Sequence, residues 1–181
     1  MSTPGNQPGP VPAPTGFPFA RTVCGCRRCS ISCEHLPGAL APSDLPIIAA
    51  HLGHADPVAF ARESLFASEG ATLAMADGRI ISLPTLVPRS DPGGACIFYK
   101  RGRCTIHAVS PFGCSQIDAH MSDAEFTRRS NASYNALLDD LEAGGAYSRT
   151  VAELRAIGQV APPLATRREG LLAAMRKESL I

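Results

Sequence analysis

The residues of this chain best suited to metal chemistry are its seven cysteines. They form two groups along the sequence: Cys24, Cys26, Cys29 and Cys33, and then Cys96, Cys104 and Cys114. A Cys-x-x-Cys pair such as Cys26 and Cys29 lets a tight turn direct two thiolates at one ion. Clustered thiolates repel one another and revert to thiols unless a cation sits among them, whereas a metal deprotonates them and stabilises the fold. Four cysteines within ten residues therefore predict a metal site.

Neighbouring residues extend or limit this predicted site. Cys33 follows Cys29 closely enough to supply a third sulfur from the same loop, whereas Cys24 joins only if the backbone turns. His107 lies three residues after a cysteine of the second group, so the cysteines and His107 together would supply two four-coordinate sites. In a second interpretation, His107 is not a ligand and its ring packs against the core. His120 is interpreted as a surface residue.

The spacings exclude several classes of site. The second group has no Cys-x-x-Cys pair, which a four-cysteine zinc ribbon requires twice. The cysteine order of radical S-adenosylmethionine enzymes is absent. The GxxxxGK[ST] phosphate loop and the HExxH zinc motif are absent as well.

Composition bears on compartment and partners. Residues 1–18 have neither the basic nor the apolar region of an export signal, which favours a reducing cytoplasm. Clustered thiols there bind metal or do redox chemistry more often than they form disulfides. The net charge of +1 gives no electrostatic footprint for nucleic acid, and no apolar run reaches the roughly 18 residues that a membrane helix needs. Fifteen of the 17 basic residues are arginine, a composition typical of GC-rich bacteria.

Local signals predict the elements that hold the cysteines. Helices are expected over 43–52 and over 57–70, each begun by a capping residue, the second with proline in its first turn. A β-hairpin is expected over 72–83, because Asp77-Gly78 is a dipeptide that favours a two-residue type I′ turn.

The C-terminal third is predicted to be helical. The capping box Ser122-Asp-Ala-Glu125 begins a helix that runs to Ala143. A short helix is expected over 150–158, and a last one begins at Thr166.

Together these elements predict an α+β, mostly helical fold: a small irregular metal-centred domain with a β-hairpin and C-terminal helices. Residues 1–18 are expected to be a disordered Pro/Gly-rich tail. The cysteine-cluster domain spans 19–119, and the helices over 120–181 pack on it.

The first cysteine group resembles a known motif. The stretch 26–33, CRRCSISC, is similar to the CxxCxxCC motif of the zinc- or iron-chelating domain family (YkgJ-type cysteine-cluster proteins), with Ser32 in place of one cysteine. The family's second motif, C-x-F-L, a glycine turn, C-x-I-Y and RPxxCR, is similar to residues 96–115. There His107 replaces the tyrosine, and Ser110 and Ser115 replace two arginines. The resemblance covers about residues 19–119.

The resemblance implies a set of metal ligands. By position these are Cys26, Cys29, Cys33, Cys96, Cys104 and Cys114. Cys24 has no counterpart in the motif and is the expected replacement for the ligand lost at Ser32. The two lost arginines argue against an anion site at that place.

The predicted function is that of a cytoplasmic metal-binding protein. Its two cysteine groups hold iron, as an Fe–S cluster or thiolate iron, with zinc as the alternative. Two other functions stay open: an iron-dependent redox or modifying enzyme, and a thiol- or metal-based sensor or adaptor. The C-terminal helices or the Pro-rich tail are the expected contacts for a protein partner; no membrane or nucleic-acid partner is expected.

Overall fold

The computed structural model describes residues 17–22, 24–75 and 77–181. The predicted tail lies outside this part of the chain, except for its last two residues. The described elements are, in order, α1 (Arg27–Ser30), α2 (Ser32–His35), α3 (Asp44–His51), α4 (Pro57–Ser64), β1 (Leu65–Ala74), β2 (Ile80–Pro88), β3 (Tyr99–Lys100), β4 (Arg103–Cys104), a 3-10 turn (His107–Val109), α5 (Phe112–Ser115), α6 (Asp123–Glu142), α7 (Ala146–Ala156) and α8 (Leu164–Lys177). The predicted α+β, mostly helical fold is confirmed.

The long hairpin β1–β2 lies where a hairpin is predicted, but it is larger. The strands are antiparallel from the Leu65–Pro88 pair to the Ala74–Ile80 pair. The turn contains Asp77-Gly78, yet residues 75–79 connect the strands instead of two residues.

The helix predicted over 57–70 is wrong after Ser64, where α4 ends and β1 begins. Residues 65–70 pair with β2, and this cross-strand pairing outweighs the local helix signal. The register shifts between Ser68 and Ala71. Gly70 stands in this bulge with φ +73°, and a Cβ there would lie 1.8 Å from the Leu83 carbonyl oxygen. Only glycine fits this close approach.

The main core lies between the hairpin and helices α3, α4 and α7. Phe60, Leu86 and Leu154 are fully buried in it. Tyr147 of α7 joins two segments, because its hydroxyl donates to the Leu40 carbonyl (2.6 Å) and accepts the Leu86 amide (2.7 Å). Because both hydrogen bonds of this buried hydroxyl are made within the protein, Tyr147 fixes α7 against the sheet.

A smaller apolar cluster anchors the first described residues. Phe17, Phe19, Ala41 and Phe112 are buried together. The Phe17 and Phe112 rings lie 4.8 Å apart. This cluster holds the segment that carries the first cysteines against α5.

The C-terminal helices differ from prediction mainly at their starts, and α8 begins at Leu164 and not at Thr166. The Ser122 hydroxyl accepts the Glu125 amide, so the predicted cap of α6 is confirmed. α7 begins at Ala146 and not at Thr150, whose buried hydroxyl donates to the Ala146 carbonyl. Across the described residues, every helix is too short or too polar to cross a bilayer.

Candidate metal centre

A turn at Cys26 builds the first ligand group. The Cys26 carbonyl accepts the amides of Cys29 (3.1 Å) and Ser30 (2.9 Å), which begins α1. This brings the sulfurs of Cys26 and Cys29 to one side, as the Cys-x-x-Cys spacing predicts. Upstream, the Cys24 amide donates to the Thr22 hydroxyl (3.2 Å), and the chain turns so that the Cys24 sulfur joins them.

The fourth member of this group is His120, from the loop between α5 and α6. Its Nε2 lies 3.2 Å from the Cys26 sulfur, and the Asp118 carboxylate accepts its amide (2.8 Å). The ligand atoms of Cys24, Cys26, Cys29 and His120 all lie within 4.8 Å of one another. These four residues are called the outer group, because Cys26 and His120 are exposed.

His120 is absent from the ligands that the sequence predicts. It lies 94 residues from Cys26, and no spacing rule links the two. The predicted histidine ligand, His107, begins the 3-10 turn and is outside the outer group. Its ring lines a cavity next to the second cysteine group.

Electrostatics distinguish the cysteines of the outer group. The hydrogen bond with His120 is the main cause that lowers the pKa of Cys26 to about 6, and the Cys29 amide adds to it. Burial raises the pKa of Cys29 to about 12. One thiolate is therefore available at neutral pH before any metal arrives, and metal binding must displace the proton of Cys29.

In the metal-free protein, kept below its thermal midpoint so that the His120 contact persists, we expect iodoacetamide to alkylate Cys26 with a midpoint near pH 6. The thiolate is the nucleophile, and a lowered pKa means that the thiolate is present above about pH 6. The His120→Ala variant removes the hydrogen bond that is the main cause of the lowered pKa of Cys26. The alkylation midpoint should therefore rise toward the value of about 8.5 for a free cysteine. The measurement is the labelling rate of the Cys26 peptide against pH, by mass spectrometry.

The matched control for this experiment is His107→Ala. This exposed histidine lies outside the outer group, so its removal should leave the midpoint near pH 6. An equal midpoint in both variants would show that His120 does not act on Cys26.

The other four cysteines form a second group, here called the inner group: Cys33, Cys96, Cys104 and Cys114. Packing of the second motif against α2 brings them together. The Cys96 amide donates to the Cys33 carbonyl (2.8 Å), and the Gly38 amide lies 3.2 Å from the Cys114 sulfur. Cys33 therefore belongs with the second motif and not with its sequence neighbour Cys29.

Burial and mutual repulsion both oppose ionisation of the inner thiols. Burial is the main cause that raises the pKa of Cys33 to about 11 and of Cys96 to about 12, and it also raises the pKa of Cys104 and Cys114. Each of the six pairs within the group adds a repulsive contribution on at least one member. Four thiols that oppose one another's ionisation in a buried place are what a cation would neutralise.

The two groups differ in size. The outer ligand atoms are all within 4.8 Å, whereas among the described residues no three inner cysteines meet that limit. The outer group is therefore compact and the inner group wide.

Arg21 supplies a positive charge beside the inner group. Its Nη1 donates to the Ser110 carbonyl (2.9 Å) and the Ser115 hydroxyl (2.8 Å). Its Nε and Nη2 are buried without a partner among the described residues. Burial lowers the pKa of Arg21, and nearby Asp44 and Cys114 oppose this. A guanidinium thus occupies the place where the sequence shows two serines instead of arginines.

Comparison with protein-family models, curated proteins and solved structures finds no match to this chain. The resemblance to the YkgJ-type family therefore rests only on the two cysteine motifs. What the geometry itself establishes is coarser: a group of three cysteines and one histidine within metal-binding distance.

Proposed function

We propose that this chain is a metal-binding protein with two centres. The outer group holds a single metal ion, zinc in first place, and the inner group holds iron as an Fe–S cluster. The observation behind this proposal is the division of seven cysteines and His120 into one compact and one wide group of four.

The outer group fits one ion. In a tetrahedral zinc site, bonds of about 2.3 Å to sulfur and 2.0 Å to nitrogen place the ligand atoms roughly 3.8 Å apart. Distances within 4.8 Å therefore need only small side-chain adjustments. Three cysteines and one histidine are a ligand set of structural zinc sites, with thiolate iron as the alternative.

The inner group fits a larger occupant. Four cysteines, no three of which lie within 4.8 Å of one another among the described residues, suit an occupant larger than one ion, and four thiolates are the ligand set of an Fe–S cluster. The positive charge of Arg21 beside the group favours a cluster that carries negative charge. Such a centre would supply electron-transfer chemistry when bound.

Metal and sulfide stoichiometry test the proposal. We expect anaerobically purified protein to contain one equivalent of zinc, several of iron, matching acid-labile sulfide and broad visible absorbance. A colourless protein with two equivalents of zinc would contradict the cluster in the inner group. Protein purified without stoichiometric metal, with unchanged folding after chelation, would contradict the proposed function as a whole.

A further inference from the structure

A cavity of about 860 Å³ lies between the cysteine groups and α8. All four inner cysteines line it, together with Cys24 and Cys29 of the outer group. Small-molecule sites in proteins occupy about 300–1,000 Å³. A metal centre at the cysteine wall would fill part of this volume, and the rest extends to α8.

The charged wall of this cavity is nearly all positive. Its charged side chains are Asp118 and the arginines Arg28, Arg103, Arg167 and Arg168. The Asp118 carboxylate already accepts the His120 amide. None of the four arginines forms an ion pair with a carboxylate among the described residues, in contrast to arginines elsewhere on the surface.

Two of these arginines belong to α8, opposite the cysteine wall. Arg167 is half-buried and donates to the Ser68 hydroxyl (2.8 Å) and the Pro162 carbonyl (3.0 Å). Burial lowers the pKa of Arg167, and the charge of Glu69, which opposes this, is not within ion-pair distance. Arg168 is exposed at the rim of the cavity.

The same helix presents an apolar surface to the cavity. Leu164, Leu171 and Met175 of α8 line it, and all three are only partly buried. Leu137 and Tyr134 of α6 continue this surface. Unpaired guanidinium groups beside an apolar wall recognise a molecule with a negative head and an apolar body.

We propose that this cavity binds a small organic anion, a carboxylate or a phosphate ester with an apolar chain. Arg167 and Arg168 hold the anionic group, and Leu164, Leu171 and Met175 contact the chain. The ligand then lies against the inner centre. This inference rests on the proposed function, since the metal centres form the facing wall.

Calorimetry on the metal-loaded full chain tests the inference with octanoate, octyl phosphate and octanol. Both anions should bind. Octanol has the same chain without the charge, and it should bind at least about tenfold more weakly, because a charge-assisted hydrogen bond is lost. The preferred anion identifies the head group. Arg168→Gln should weaken binding of that anion by about tenfold.

Arg176→Gln is the matched control, because Arg176 lies on the same helix but does not line the cavity. It should bind the anion like the unmodified chain. Arg168 is preferred to Arg167 as the test position, since the contact of Arg167 with Ser68 also docks α8.

Two affinity results would overturn the inference: equal affinity for octanol and both anions, or equal affinity in Arg168→Gln and the unmodified chain. Metal content is measured in the same samples. Loss of metal in Arg168→Gln would show that the arginine balances the thiolates instead of binding a ligand, which also overturns it. A metal-free unmodified chain would contradict the proposed function, a separate outcome.

Discussion

The Cys33→Ser variant is expected to lose its iron and acid-labile sulfide while it keeps one equivalent of zinc. Cys33 belongs to the inner group, where its partly buried thiol and those of Cys96, Cys104 and Cys114 oppose one another's ionisation. A hydroxyl ionises far less readily than a thiol and is a poor cluster ligand. Because Cys33 is only four residues from Cys29, this result would separate the two groups despite their closeness in sequence.

Cys26→Ser is the crossed variant, and it should show the opposite loss. It removes a ligand of the outer group, so zinc should fall below stoichiometry while iron and sulfide remain. Metal analysis and visible absorbance of both variants give the result. Loss of both metals in each variant would mean that all eight ligands serve one centre.

Both variants should also unfold more readily than the unmodified chain. Each variant loses one metal centre, and the free energy of metal binding is coupled to folding; for structural zinc in zinc-finger peptides it is about 10–16 kcal/mol. We therefore expect a large fall in the thermal midpoint, measured by circular dichroism. Addition of a chelator to the unmodified chain should reproduce it.

The second large effect is expected for Gly38→Ala. A Cβ at Gly38 would lie 2.1 Å from the carbonyl carbon of Gly113 and 2.5 Å from the backbone nitrogen of Cys114. Backbone atoms cannot move aside as a side chain can, so the two segments must separate. The hydrogen bond from the Gly113 amide to the Ala39 carbonyl (2.9 Å) is then lost. The contact of the Gly38 amide with the Cys114 sulfur is lost as well.

We expect Gly38→Ala to destabilise the metal-loaded protein by about 3 kcal/mol or more, at the upper end for overpacking. Its iron content should fall as well, since Cys114 leaves the inner group. Denaturant unfolding and metal analysis measure the two effects. Gly25→Ala is the control, because a Cβ at Gly25 has nothing within 4 Å. Equal stability of the two variants would contradict the close approach.

Predictions from local signals succeeded where the interaction spans a few residues. The cap of α6 joins Ser122 to Glu125, and the Cys26 turn joins residues three and four apart. The sequence contains both partners of such contacts in a fixed geometry. The helix predicted over 57–70 failed for the opposite reason, since β1 is held by strand partners up to 23 residues away.

The metal ligands show the same difference between local and long-range contacts. Neither the entry of His120 into the outer group nor the position of Arg21 between Ser110 and Ser115 follows from any spacing. These contacts join residues 94 and 89 positions apart. A side chain at such a distance becomes a partner only through the path of the backbone between them.

The sequence by itself determined that a turn would direct the sulfurs of Cys26 and Cys29 to one side, because the Cys-x-x-Cys spacing fits a single turn of backbone. Only the tertiary structure decided which four ligands share a site. The hydrogen bond from the Cys96 amide to the Cys33 carbonyl holds Cys33 at the second motif, and the loop after α5 brings His120 to Cys26. The physical reason is that ligand sets depend on long-range backbone packing, which no local pattern of residue types specifies.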